Sequence, residues 1–564
     1  MKWSLFKKAI HFAIIGFAFS SCSDSNDNPD ISEPTPEPVP IISVGDDIEQ
    51  FEIAFDANPY NESESLPTSS ADAFYGDYFE NKKFSKVINV EFSDAKTVIT
   101  EGGVTKEGPA KLILTPSASV EYVLSGKCSN GFFKLASNAF DIKITLNGLD
   151  LTNPDGAAIN VQSKTRTYLH IADNTHNILA DGNNYPVTSS EDMKGTVFTE
   201  GRLIVSGKGN LDINANCKNA IASDSYILFR PGHVINIINT ASNGVKAKDA
   251  VYLNGGVLNI DVAANTSKGI NSEGSITISG GRTTIISNGE SEYNGIDLSN
   301  SAAIKCDLNY VQNGGIVYLQ TNGKGAKAIN CNQSITINGG EIYARVTGGK
   351  YVYNTALTSN SKGINADAAV TINDGIVKVI VSNIVSGEGI ESKTNLSVKG
   401  GLVEVSSKDD CLKATQSVTI AGGKIYAYSH NADGIDCLGK VSVTGGVAVI
   451  NGEVNNEGID CDQNEFIVSG GTFVSVGSAN SSVTSFAQKC FVYDKNVEAG
   501  TVLSLYDVAS SDSESYLIRF KMPRTYNPCS LLVSTPKMTS GTGAYAIKEV
   551  TVNKPDGIFH GLAY

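Results

Sequence analysis

A pair of glycines recurs through the second half of this chain, and no other feature restricts its possible folds so strongly. The pairs stand at Gly255-Gly256, Gly280-Gly281, Gly314-Gly315, Gly339-Gly340, Gly400-Gly401, Gly422-Gly423, Gly445-Gly446 and Gly470-Gly471, and Asp374-Gly375 fills the one gap. Their first members are 25, 34, 25, 35, 26, 22, 23 and 25 residues apart. A short alternating run precedes each pair, such as Ser275, Ile276, Thr277 and Ile278. Another follows it, such as Glu341, Ile342, Tyr343 and Ala344. A third element opens the unit, as in Gly269-Ile270-Asn271, Gly363-Ile364-Asn365 and Gly434-Ile435-Asp436. Alternation with period two marks a strand with one buried face. The glycines permit the sharp turn between two such strands.

Three short strands in every 22 to 26 residues predict one coil of a right-handed parallel β-helix, an all-β fold. A leucine-rich repeat needs its Leu/Asn consensus and a propeller blade needs about 40 residues; neither fits. The two long intervals predict insertions, near residues 293–306 and 351–360. Composition agrees: Gly is abundant at 55, and there is one Trp. After residue 30 no run of about 12 residues has a clear helical period. The boundaries read as an N-terminal β cap over 46–139, the β-helix over 140–484, and a C-terminal antiparallel β region over 485–564. Solenoids need such covers on their open ends.

The chain opens like an export signal. Lys2, Lys7 and Lys8 precede an apolar run at 9–19 that is too short to span a bilayer. Phe19-Ser20-Ser21-Cys22 resembles a lipobox, with Phe19 where Leu is usual. Residues 1–21 are therefore expected to be a lipoprotein signal peptide, with Cys22 lipidated. Residues 22–45 read as an acidic, Pro-rich spacer carrying Pro34, Pro36, Pro38 and Pro40. This predicts a monomer on the cell envelope of a Gram-negative bacterium, at the outer membrane or cell surface, held there only by its lipid. The net charge of −15 argues against nucleic acid and anionic membrane as partners. It is compatible with divalent cations.

Stacked coils place equivalent residues in rows about 4.8 Å apart. The outward position after the first Ile of each unit gives Lys246, Asn271, Asp297, Asn330, Asn365, Glu391, Lys413, Asp436 and Asp460. Two before that Ile stand Glu388, Asp433 and Glu457, with Asp409, Asp410 and Asp462 near the same edge. Carboxylates in such a row repel one another unless neutralised. Calcium, which takes six to eight oxygens, would do so; a solvated edge screened by salt is the alternative. Lys413, between Glu391 and Asp436, reads either as charge balance or as the base of a β-eliminating polysaccharide lyase. A second row, three residues after each glycine pair, holds Tyr318, Tyr343 and Tyr426. These rings would serve as sugar platforms or as cross-strand packing. Cys331, Cys437 and Cys461 follow the first outward row and should point inward, as thiols in a small-residue column.

Several segments resemble the bacterial surface carbohydrate-binding β-helix proteins that bind calcium, cellulose and pectin. They lie at 122–126, 144–148, 153–160, 179–182, 198–201, 267–270, 388–392 and 433–436. The resemblance implies a pectate-lyase-like β-helix, bound calcium and plant-type polysaccharide as partner, without established catalysis. Its Asp-Gly-Ile-Asp motif falls on Asp433 and Asp436, with variants at Glu388/Glu391 and Glu457/Asp460. Lys246, Asn271 and Asn365 depart from it, as does Lys413. The function expected is a surface-anchored, calcium-assisted polysaccharide binder. The alternatives are a calcium-dependent polysaccharide lyase and an adhesive solenoid without a glycan ligand.

Overall fold

The computed structural model describes residues 48–58, 62–186, 191–382, 387–508, 516–539, 544–551 and 558–564. The expected signal peptide, Cys22 and the spacer lie outside the described residues. All the described residues belong to the compact unit Val44–Tyr564.

The protein is an all-β parallel β-helix of about 14 turns, with antiparallel sheets added to it. One coil shows the construction. Strands Lys327–Cys331, Ile335–Ile337 and Glu341–Val346 pair in parallel with Lys362–Ala366, Val370–Ile372 and Ile376–Val381 of the next coil. The first strand of each coil enters a separate sheet of 14 strands that runs from Lys111–Leu114 to Ile459–Asp460. The other two join the larger sheet.

Register stacks like on like. Ile270, Ile304, Ile329, Ile364, Ile390, Leu412, Ile435 and Ile459 form one unbroken column. All eight are fully buried, and each contributes about 1.5–3 kcal/mol by leaving water. The glycine pairs align at one corner. The second member of each, from Gly256 to Gly471, and Gly375 among them, has φ between 74° and 98°. A Cβ on Gly281 would lie 2.5 Å from the Gly256 carbonyl oxygen, and one on Gly401 would lie 2.4 Å from that of Gly375. Each corner thus needs glycine for its own conformation and for the coil beneath it.

Three readings of the sequence change. Asp297 does not belong to the outward row. It sits on the loop of a hairpin, Glu292–Tyr293 with Leu298–Ser299, next to Ile296, which is 90% exposed. Lys305 takes its rung, between Asn271 and Asn330. Gly295-Ile296-Asp297 imitates the repeat, but its Ile has no core to enter. Cys306 therefore joins Cys331 in the inward column, with their sulfurs 3.2 Å apart, and the nine described cysteines are thiols. Finally, parallel stacking already begins at Val87–Phe92, paired with Glu121–Cys128. That segment lacks a glycine pair yet keeps strict in-out burial.

Residues 48–58 and 62–84 run as a strap along the solenoid, opposite in sense to its growth. Phe51 meets Tyr343, Asp56 pairs with Arg282, and Glu62 accepts the Gly256 and Gly281 amides at the glycine corner. Arg230, almost fully buried, is clamped by Glu64 and Glu80. Asp77 holds Arg166 and the Tyr226 hydroxyl. At the other end, Ser530–Ser534 pairs antiparallel with Phe466–Gly477 and closes the stack. A five-stranded antiparallel sheet follows, containing Val502–Asp507, Tyr516–Lys521 and Tyr545–Val550. Its apolar side chains cluster with Tyr426, Tyr428, Val449 and Val474 of the solenoid.

The corner geometry makes a prediction. Gly281→Ala should lower unfolding free energy by at least about 1–2 kcal/mol more than Gly148→Ala. Gly148 also has a positive φ, but nothing stands within 4 Å of its added Cβ. Chemical denaturation of the two variants measures the difference; equal losses would mean that the corners are not in contact.

Candidate functional site

The outer face of the 14-stranded sheet carries two polar rows. One runs Lys246, Asn271, Lys305, Asn330, Asn365, Glu391, Lys413, Asp436, Asp460. The other, at the entry to each strand, runs Lys268, Ala302, Lys327, Lys362. It continues through Glu388, Asp410, Asp433 and Glu457, as the backbone bonds between successive coils show. Both rows change sign along the solenoid: basic and amide in the middle, acidic toward the C-terminal end.

The middle of this face is a cleft of about 650 Å³. Its floor is the strands Ala302–Cys306, Lys327–Cys331 and Lys362–Ala366. Its walls are the two insertions, the hairpin bearing Asp297 and a second, Tyr351–Val352 with Thr358–Ser359. The hairpins touch through Tyr293 and Tyr353, whose rings are 4.3 Å apart. Six lysines line the cleft: Lys268, Lys305, Lys327, Lys350, Lys362 and Lys393. Lys327 is 6% exposed, and among the described residues its ammonium donates to neutral oxygens, Gly325 O at 3.0 Å and Ser359 Oγ at 2.9 Å. The Ser359 hydroxyl in turn donates to Asn300 Oδ1 at 2.7 Å, tying both hairpins to it. Burial, followed by the neighbouring charge of Lys362, lowers Lys327 to about 7. Burial and then Lys305 and Lys246 lower Lys268 to about 8. Asn365 donates to Asn330 at 2.9 Å, which leaves a ribbon of amides between the lysines.

The expected metal residues divide into two groups. Glu388 and Glu391 are buried against lysines: Lys362 is 3.5 Å from Glu388 and also bonds Glu391, which Lys393 shares. Asp410 and Asp436 both hold Lys413, at 2.7 and 2.5 Å. Burial opposes the Lys413 charge, but these two carboxylates outweigh it and push its pKa above the usual lysine range. An ammonium so held is a charge balance, not a free base. Asp409 is raised by burial and by Glu388. Asp433, Glu457 and Asp460 carry no lysine at ion-pair distance among the described residues. Asp433 accepts the Glu457 amide at 2.6 Å. Burial, then repulsion from Asp460, Asp436 and Glu457 against that bond, pushes it up to about 7. Glu457 is raised by burial and by Asp460. Asp462 is exposed beside them, and its amide binds Asp460. The donor set is hard carboxylate oxygen, the chemistry calcium requires. No three described His, Cys, Asp or Glu side chains are assembled as a metal-binding group.

The aromatic row is aligned as the repeat predicts, but it is occupied by packing. Tyr318 and Tyr343 stack on each other at 4.9 Å with planes 10° apart. Arg282 lies over Tyr318 and Phe51 against Tyr343. Tyr426 is only 3% exposed, under the His560 ring at 3.6 Å. It is therefore no surface platform: the C-terminal region, whose packing has no repeat signature, covers it. Sequence reasoning missed the cleft, although its signal was present. Lys268 and Lys362 each stand two before the first Ile, where Glu388 and Asp433 were noticed.

Lys413→Met should destabilise the fold by roughly 2–3 kcal/mol at pH 8, under the ~3–5 of a fully buried pair because Lys413 is partly exposed. Adding Asp410→Asn should restore much of it. Denaturant titration of the single and double variants checks this; a neutral single variant would show that the three groups are solvated independently.

Comparison with known proteins follows this geometry. Residues 110–273 and 343–434 match the family described as carbohydrate-binding domain-containing protein. A protein of that description from Acetivibrio thermocellus is 26% identical over 116 residues, 20% of this chain and 41% of that protein. The match thus spans less than half of the relative. Among solved structures, the polysaccharide lyase-like protein from C. thermocellum, as a gadolinium derivative, is 23% identical. It covers 44% of this chain and 96% of that one, with a TM-score of 0.38. The two matched segments, both within the solenoid and its first strands, are thus similar to the carbohydrate-binding domain-containing family.

Proposed function

We propose that this protein binds polysaccharide along the outer face of its 14-stranded sheet, with calcium at the acidic end. The observation that carries this reading is the family match, which falls on the solenoid itself. The opposite faces support it: the strap and the C-terminal sheet are packed against them. Polar side chains repeated once per coil suit a polymer, which offers the same hydroxyls at regular intervals. Asp433, Glu457 and Asp460, with Asp436 beside them, would hold the ion. Calcium bound there would offset their mutual repulsion and offer open positions to sugar oxygens. Lipidation at Cys22 would present the solenoid at the cell surface, as a binder with no catalytic step. The held ammonium of Lys413 favours that reading over a lyase that uses it as base.

A glycan array probed with the full chain, in calcium and in chelator, tests the binding. Retention of one or more plant-type polysaccharides is expected, weaker in chelator; no retention in either condition contradicts the reading. Calcium has its own test. The Asp433 carboxyl is raised to about 7 from an ordinary value near 4. Its contribution to stability is therefore complete below about pH 4 and lost as pH rises through 7. An ion that binds the carboxylate should restore that loss. Calcium should raise Tm more at pH 8 than at pH 5, and Asp433→Asn should remove the difference. Identical melting with and without calcium at pH 8 would exclude the ion.

A further inference from the structure

We infer that the lysine-lined cleft is a second, metal-independent site that takes the anionic segments of a polysaccharide, carboxylated or sulfated. This rests on the reading that the chain binds glycans, and it assigns charge and place to one ligand class. Part of the cleft lies outside the matched family segments. The family match stops at residue 273 and resumes at 343. The gap contains the first hairpin, Lys305, Lys327 and Asn330.

The charge distribution supplies the argument. The chain carries a net −15, yet six lysines converge on a volume of about 650 Å³. Some are balanced: Lys305 by Asp307 at 2.7 Å, and Lys362 and Lys393 by Glu391. Asp297 and Asp367 also line the cleft. Lys327 and Lys268 have no carboxylate at ion-pair distance among the described residues; Lys268 donates to Thr266 O at 2.7 Å. Lys327 is nine-tenths buried and next in register to Lys362. Buried cations are normally paired. Here Lys362 and Lys393 raise the cost of charging Lys327, while Glu388 and Asp367 only partly offset it. An entering anion would supply the missing partner. The lysines recur on neighbouring coils about 4.8 Å apart, so a polymer with charge on successive sugars meets several at once. Asn330 and Asn365 between them can bond hydroxyls that a simple anion lacks. The match to a carbohydrate-binding family favours a glycan over a nucleic acid.

The test is titration of the full chain in chelator with three probes: polygalacturonate, dextran sulfate and a neutral cello-oligosaccharide, with a DNA oligonucleotide as the competing class. At least one anionic glycan should bind with affinity that falls as salt rises. Lys327→Met/Lys350→Gln should weaken that binding by about tenfold, while Lys208→Gln, outside the cleft, should not. The cello-oligosaccharide should be indifferent to all three substitutions. If Lys327→Met does not fold, Lys350→Gln and Lys393→Gln at the rim carry the test, each with about a threefold loss. The inference is overturned if neither anionic glycan binds in chelator, if binding survives the lysine substitutions, or if DNA binds as tightly. Binding of the neutral glycan alone would leave the general reading standing while removing the cleft. No binding of any glycan, in chelator or in calcium, would remove both.

Discussion

Parallel hydrogen bonding from coil to coil is the constraint on which everything else here depends. It places each residue above its equivalent one repeat earlier, so a property repeated in sequence becomes a continuous line in space. Eight Ile and Leu side chains that are far apart in sequence become one buried column. The same register lines up charges that ordinary folds would scatter. A parallel solenoid must therefore settle the electrostatics of every outward position, since like charges arrive one strand spacing apart.

This protein settles them in two ways on one face. Where Glu388, Glu391, Asp410 and Asp436 approach one another, lysines from neighbouring rungs stand between them. At the acidic end and in the basic cleft the balance is left incomplete. Asp433 is raised and Lys327 is lowered, one at each sign of the same polarised surface. The remaining faces are closed by packing. The strap fixes its carboxylates on Arg166, Arg230 and Arg282, and the C-terminal sheet covers Tyr426. Incomplete compensation on one face and completed packing on the others together point to where a ligand would be recognised.

The architecture was legible because glycine pairs and period-two alternation are local and repeat. The inward column, the glycine corner and the order of the tyrosines all follow from spacing alone. The insertions were located but misread at Asp297, because Gly295-Ile296-Asp297 copies a motif whose meaning depends on a core beneath the Ile. The covering of Tyr426 was invisible, since residues 558–564 carry no periodic signal that ties them to a coil more than a hundred positions earlier. The strap was equally hidden: its partners are single arginines and backbone amides chosen by position, not by pattern. The acidic row was legible as a row, and Lys413 within it as a charge balance, but Lys362, which neutralises Glu388 and Glu391, sits two positions before its Ile, where only the acids stood out.

A covalent footprint tests the central claim most directly, namely that one outward face of the 14-stranded sheet meets the ligand. Lysines and carboxylates of the full chain would be labelled with and without saturating polygalacturonate in calcium, then mapped by mass spectrometry. The account predicts protection at Lys350, Lys393, Asp433 and Asp460, with Lys208 and the strap carboxylates unchanged. Protection confined to the strap side, at Glu49, Asp56 or Lys378, would contradict it.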